Sequence, residues 1–118
     1  MKKETIYASV TKNQKTAISI IRVSGSKVQK ISKSLFKKEP LKNNVNIRNI
    51  FSLNGDFIDQ GIALLFLKPN SPTGEDLLEF QVHGSFSIIK KIEEELEKFN
   101  GVREAEPGEF IKRSFYNK

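Results

Sequence analysis

The sequence has no cysteine, no tryptophan and a single histidine among its 118 residues. The lack of cysteine excludes disulfide bonds, thiolate catalysis and cysteine-ligated zinc, and one histidine argues against a histidine-rich metal site. No apolar run approaches the roughly 20 residues that cross a bilayer, and the lysines near the start have no apolar segment behind them. We therefore expect a cytoplasmic protein with no metal site and no membrane contact.

Acidic residues are nearly absent from the first half of the chain. Residues 5–55 contain ten Lys or Arg and one acid, Glu39, which gives this segment a net charge of +9. Residues 56–118 contain eight Lys or Arg and twelve acids, which gives a net charge of −4. The basic segment can attract phosphate-rich partners, but a solvated, lysine-rich surface has the same composition.

The apolar residues are sufficient for one core. Hydrophobic residues make up 37% of the chain and charged residues 29%, and there are nine phenylalanines. This composition is typical of a globular protein, and the length is close to that of one domain. We expect a single domain over residues 1–118.

Segments rich in β-branched and aromatic residues predict the strands of a sheet. They cover residues 5–10, 17–23, 45–53, 57–67 and 75–82, and a short extended piece follows Gly101. Asn54-Gly55 lies between the third and the fourth segments. It predicts a β-hairpin, because both residues tolerate a positive φ.

Three further segments have the apolar spacing of amphipathic helices. Residues 26–36 place lysines away from the apolar positions, and Ser24 or Ser26 is the expected capping residue. Residues 85–99 predict a second helix whose acidic run we expect to be solvated, and a third helix begins near Pro107. The order of elements predicts an α+β fold, with about three helices packed on a largely antiparallel or mixed sheet.

A polar cluster follows the most apolar strand, in the sequence NSPTGEDLLEFQVHG at residues 70–84. Alternation along the strand puts Phe80 on the core side and Glu79 and Gln81 on the other side. A half-buried carboxylate is costly unless hydrogen-bond donors face it. A heterocycle with an N–H beside an amino group, as in a pterin or guanine, would satisfy both oxygens of Glu79. The alternative is a strand residue that faces solvent.

Three motifs resemble the N-terminal domain of the tRNA-modification GTPase family MnmE, also called TrmE. They are IIRVSG, DQGIALLFLKPNSPTGEDLLEFQVHG and EAEPGEFIKRSFYNK, and together they span nearly the whole chain. The resemblance implies a homodimeric domain that binds a tetrahydrofolate derivative, either 5-formyl- or 5,10-methylene-tetrahydrofolate. It also implies a fold like that of the folate-binding domain of aminomethyltransferases. One departure is KNQKTAIS at residues 12–19, where the family has a glycine-rich turn.

The folate-binding residues of the family correspond to three positions of this chain. The arginine of the first motif is Arg22, and the last acid of GEDLLE is Glu79. A family lysine after the third motif would fall at or just beyond Lys118. For Arg22 the alternative is an ordinary ion pair. The resemblance implies no catalytic residue in this domain.

In the family, the full-length protein adds a helical domain and a GTP-binding domain, and GTP, magnesium and potassium belong to the latter. It acts with a flavin-containing partner, MnmG, to add an aminomethyl-type group to the wobble uridine of certain tRNAs, with the folate as one-carbon source. The present sequence has no G-x-x-x-x-G-K-[ST] loop, so we do not expect this chain to hydrolyse GTP.

Other polar residues of the motifs have structural interpretations. His83 is either a hydrogen-bonded structural imidazole or a general acid or base. Glu75 and Asp76 are expected to accept backbone hydrogen bonds within their own loop. Glu109 and Arg113 are four residues apart and are expected to pair on a helix.

Two alternative functions come from other classes. One is a stand-alone folate-dependent one-carbon transferase, which would need a longer chain and its own acid or base. The other is a small RNA-binding module that uses the basic residues 27–42. Such a module would need exposed aromatic residues among polar groups that contact bases.

Overall fold

The computed structural model describes residues 4–10 and 17–117 of the chain. Its elements are β1 (Thr5–Ser9), β2 (Ile18–Ser24), α1 (Val28–Leu35), β3 (Asn46–Phe51), β4 (Phe57–Phe66), β5 (Leu77–His83), α2 (Phe86–Glu97), β6 (Val102–Glu104) and α3 (Glu109–Tyr116). The predicted order of strands and helices is confirmed. No helix in the described ranges is long and apolar enough to cross a bilayer.

The six strands form one sheet in the order β3-β4-β5-β2-β1-β6. Neighbouring strands are antiparallel except β1 and β6, which are parallel, so the predicted α+β fold with a mixed sheet is confirmed. β3 and β4 form the predicted hairpin, with Ser52 N–H bonded to the Asp56 carbonyl at 2.8 Å. Only Gly55 of the Asn-Gly pair has a positive φ, of 89°. The turn therefore has three residues between Ser52 and Asp56, with the glycine in the left-handed position.

Helices α1 and α2 pack on one face of the sheet and close the core. The core side chains include Val28, Ile31 and Leu35 from α1, Ile89, Ile92 and Leu96 from α2, and Tyr7, Ile21, Val23, Phe80 and Val82 from the strands. The helix α3 lies outside this cluster, and its buried residue is Arg113. The N-cap of α3 is Gly108, which has a φ of 77°, so Pro107 lies just before the helix and not in its first turn. The opposite face of the sheet carries Glu79.

The prediction that Ser24 or Ser26 caps α1 is wrong. The N-cap position is Lys27, whose backbone N–H donates to Thr5 Oγ1 at 3.0 Å. The threonine comes from β1 and reaches the helix because Gly25 has no side chain. A Cβ at Gly25 would lie 2.5 Å from that same hydroxyl oxygen. A donor at the start of the helix is thus satisfied from another element.

The acidic run of α2 is not uniformly solvated as predicted, because Glu95 is fully buried. Its carboxylate accepts hydrogen bonds from the Leu53 N–H and from Lys98 Nζ, both at 2.7 Å. Burial raises the pKa of Glu95, but the two hydrogen bonds and the charges of Lys98 and Lys91 together outweigh burial and leave the pKa below its ordinary value. The carboxylate fastens the β3–β4 turn to α2.

Candidate functional site

Arg22 and Glu79 stand directly opposite each other on the antiparallel neighbours β2 and β5. Arg22 Nε donates to Glu79 Oε1 at 2.8 Å, and Gln81 Nε2 donates to Glu79 Oε2 at 2.9 Å. The interpretation of Glu79 as a solvent-facing residue is wrong, since the residue is only 9% exposed. The expectation that donors face a half-buried carboxylate is confirmed, and the donors are two side chains of the same sheet.

Arg22 forms the ion pair that was the alternative to a ligand contact, but the pair uses only part of its guanidinium. The bond to Glu79 comes from Nε, and the side chain is 46% exposed. Among the described residues, Nη1 and Nη2 have no hydrogen-bond partner. Both groups can therefore bind an acceptor outside the protein, in the planar geometry that a guanidinium offers.

Apolar residues surround the pair on the same sheet face. Leu64 on β4 lies opposite Glu79, and both Ile62 and Ile20 lie opposite Gln81 on the strands that flank β5. These three side chains are half-buried. The face therefore combines half-buried apolar side chains with one carboxylate and one partly unpaired guanidinium, which suits a planar heterocycle with polar edges. Gln81 belongs to this site, and its spacing of two residues from Glu79 is the sequence signal that identifies it.

The three motif segments meet at the loop between β4 and β5. Ser24 Oγ contacts Thr73 Oγ1 at 2.7 Å and donates to Glu75 Oε1 at 2.8 Å. From the third motif, Arg113 Nη1 donates to Glu75 Oε1 at 3.1 Å, and Asn117 Nδ2 donates to the Thr73 carbonyl at 3.1 Å. The loop is thus held by β2 on one side and by α3 on the other.

The two acids of this loop have different partners. Asp76 accepts from the Lys68 backbone N–H at 2.9 Å, so its predicted role within the loop is confirmed. The prediction of backbone partners is wrong for Glu75, whose carboxylate binds the hydroxyl and guanidinium of other segments. The reason is that Arg113 is only 7% exposed, and a buried cation requires a carboxylate beside it.

Glu109 pairs with Arg113 at 3.2 Å as predicted, and it also binds a second arginine that the sequence did not indicate. Arg103 on β6 donates to both oxygens of Glu109, from Nη1 at 2.9 Å and from Nη2 at 2.7 Å. The hydrogen bonds from Arg103 are the main reason that the pKa of Glu109 falls to about 2. This bidentate pair attaches α3 to the edge strand of the sheet.

The imidazole of His83 is hydrogen-bonded on one side, and its side chain is 72% exposed. Its Nδ1 contacts Asp59 Oδ1 at 2.9 Å, and its backbone N–H donates to Asp59 Oδ2 at 3.0 Å. Asp59 is 6% exposed and is the acid of the DQ pair in the second motif. Two parts of one motif thus bind each other across β4 and β5.

An open pocket of about 480 Å³ lies beside the loop, away from the Arg22–Glu79 pair, and neither of those residues lines it. Its lining residues are Gly25, Ser26, Gln29, Lys68, Gly74, Glu75, Asp76 and Asn117. Lys118 and residues 11–16 lie outside the described ranges, so the structure places neither the third predicted folate contact nor the altered glycine-rich turn. Within the described ranges no cluster of His, Asp and Glu could hold a metal ion.

Comparison with known proteins gives one consistent result. The family described as "GTP-binding protein TrmE N-terminus" matches residues 5–118. The chain is 45% identical over 116 residues to the tRNA modification GTPase MnmE of Wigglesworthia glossinidia brevipalpis, which covers 98% of this chain and 26% of that protein. It is 41% identical over 114 residues to the protein of the same name from Rhodopseudomonas palustris, covering 97% of this chain and 26% of that protein. The chain thus spans about a quarter of the length of these relatives.

Proposed function

Because the chain belongs to the family of TrmE N-terminal domains, we propose that it binds a tetrahydrofolate derivative at the Arg22–Glu79 pair. The observation that supports this most is the guanidinium of Arg22, which is fixed by Glu79 and still has two nitrogens without a partner among the described residues. On the neighbouring strand, the carboxylate of Glu79 is also fixed in place and can accept further hydrogen bonds.

The two residues match the polar edge of a pterin. Each oxygen of Glu79 accepts one hydrogen bond from the described residues, and a carboxylate oxygen can accept two. Glu79 can therefore accept from the adjacent N–H and amino groups of the ring, while the Arg22 nitrogens donate to the ring oxygen or to another acceptor of the ligand. One face of the ring would rest on the half-buried Ile20, Ile62 and Leu64.

For the whole protein we propose the role suggested by its relatives, which are named tRNA modification GTPases. The folate would supply the one-carbon unit for an aminomethyl-type modification of the wobble uridine of tRNA, with the flavin-containing MnmG as partner. In that scheme this chain binds and orients the folate, and GTP binding belongs to other parts of the full-length protein.

The direct test is a calorimetric titration with 5-formyltetrahydrofolate. The Glu79→Gln substitution keeps the shape but turns one acceptor into a donor that faces a donor, which should cost about 2 to 4 kcal/mol of binding free energy. Affinity should fall roughly 30-fold or more, at about 1.4 kcal/mol per tenfold. Arg22→Lys should have an intermediate effect, because the charge stays but the planar fork is lost.

Glu75→Gln is the matched control, since Glu75 lies four residues before Glu79 and its carboxylate, among the described residues, binds only the scaffold groups Ser24 and Arg113. Its loss should lower thermal stability and change folate affinity much less. If Glu79→Gln and the parent bind the folate equally well, the pair serves the scaffold alone and the proposal is wrong.

We also propose that the chain forms a homodimer, because a folate site completed by a second subunit suits a short domain. Several large apolar side chains are more than half exposed, among them Ile47, Phe86, Ile111, Phe115 and Tyr116. Light scattering at high protein concentration with folate present should give twice the chain mass. A monomer under those conditions would contradict the proposal.

A further inference from the structure

Basic residues that follow α1 lie next to β3, which is one edge strand of the sheet. Lys37 and Lys38 follow α1, and Arg48 Nε on β3 donates to the Lys38 carbonyl at 3.1 Å. Together these three residues line an open pocket of about 340 Å³. No acidic residue lines this pocket, so we call it the basic edge pocket.

The positive charge of this region is not neutralised within the described parts of the chain. None of the lysines between residues 27 and 42 forms an ion pair with a described residue. Arg48 uses its nitrogens on neutral acceptors, which are backbone carbonyls and the amide oxygen of Asn46. Its hydrogen bonds fix the guanidinium in place but leave its charge unmatched. An anionic partner would supply the missing counter-charge.

Aromatic and amide groups accompany the cations, which distinguishes this surface from an ordinary solvated lysine cluster. Lys37 Nζ lies 4.3 Å from the ring centroid of Phe51, and the Phe57 ring packs edge-on against Phe51 at 6.2 Å. Phe57 is 60% exposed. Next to these rings, Gln60 Nε2 donates to Asn49 Oδ1 at 3.0 Å, and both amides line the pocket and face solvent.

We infer that the basic edge pocket binds a flexible RNA strand, independently of the folate proposal. Lys37 and Lys38 contact its phosphates, the exposed ring of Phe57 stacks with an unpaired base, and the Asn49–Gln60 amides offer hydrogen bonds to base edges. This combination of cations with an accessible aromatic ring fits a nucleic acid, because every nucleotide joins a phosphate to a base with a π-face, whereas the Asp and Glu side chains of an acidic peptide have no aromatic face. A duplex fits poorly, since its bases are stacked inside.

The test measures fluorescence anisotropy of a labelled RNA hairpin with an unpaired loop, at several salt concentrations. The double substitution Lys37→Gln and Lys38→Gln should weaken RNA binding roughly tenfold near 0.1 M salt. It should also reduce, by about 1.4, the steepness with which the logarithm of the association constant falls with the logarithm of the salt concentration. The matched control is Lys90→Gln with Lys112→Gln, which removes the same charge from exposed positions elsewhere. Equal losses in the two double variants would overturn the inference.

Phe57→Leu tests the stacking contact, because leucine keeps an apolar side chain against Phe51 but has no ring. It should weaken binding of the looped hairpin about fivefold or more and leave a continuous duplex of the same length unaffected. No change with the hairpin would exclude the base contact.

Polyglutamate is the competitor that separates RNA from an acidic protein partner. Competition by polyglutamate as strong as that by unlabelled RNA would refute the RNA assignment. Folate affinities of the lysine double variant and of Phe57→Leu that equal the affinity of the parent would show that the two sites are separate.

Discussion

Glu109 links three segments, and its loss should reveal how α3 is held on the sheet. The carboxylate binds Arg103 on β6 in a bidentate pair and Arg113 at 3.2 Å on α3 itself. It also accepts from the Glu106 backbone N–H at 3.0 Å. Glu109→Gln keeps the size of the side chain but removes the charge that both arginines face.

The pKa of Glu109 determines the size and the pH range of this effect. Its folded value of about 2 lies below the ordinary 4.5, so Glu109 stabilises the fold above about pH 4.5 and loses that contribution as the pH falls toward 2. This difference corresponds to about 3 kcal/mol at neutral pH, at about 1.4 kcal/mol per pH unit. The Arg103 side chain is 37% exposed, and solvent screening weakens the pair. We therefore expect Glu109→Gln to lower the free energy of unfolding by about 2 kcal/mol at neutral pH.

Urea unfolding of parent and variant, at about pH 7 and about pH 3, measures both quantities. The parent should lose stability between these pH values, and Glu109→Gln should lose less because the titrating group is gone. Glu106→Gln is the control, since this exposed residue contributes its backbone N–H and keeps it after substitution. The reasoning is refuted if both variants lose the same stability at neutral pH, or if Glu109→Gln keeps the full pH dependence of the parent.

Two further predictions concern buried positions. Glu95→Gln should lower the free energy of unfolding by about 2 kcal/mol, because the amide faces Lys98 with a donor in place of an anion, whereas the exposed Glu94→Gln should have little effect. Chemical denaturation compares them, and equal effects would contradict the role given to Glu95. Gly61→Ala should cost about 3 kcal/mol, because the added Cβ would lie 2.2 Å from the Gln81 backbone carbonyl oxygen. Gly55→Ala meets no atom within 4 Å and should cost only about 1 kcal/mol for its positive φ, so a larger loss at Gly55 than at Gly61 in thermal unfolding would refute the steric argument.

Local patterns in the sequence were enough to determine the elements and several of their partners. Residue spacing predicted, in the correct order, the six strands and three helices that the structure describes, the hairpin at Asn54-Gly55, and the position of Glu79 on the face opposite Phe80. The pairing of Glu109 with Arg113 also followed from a spacing of four residues on a helix. These features depend on neighbours within a few residues, and such neighbours are visible in a linear sequence.

Only the tertiary structure decided which distant residues meet. The strand order and register bring Arg22 opposite Glu79, 57 residues away, and no local pattern encodes that alignment. Long-range contacts also explain the two wrong predictions for the helices. Thr5, which belongs to β1, accepts the backbone N–H at the start of α1. Glu95 is buried because the hairpin turn folds back onto α2 and donates the Leu53 backbone N–H to the Glu95 carboxylate. A capping hydroxyl or a buried carboxylate needs a partner in space, and packing of the sheet supplies that partner regardless of its distance along the chain.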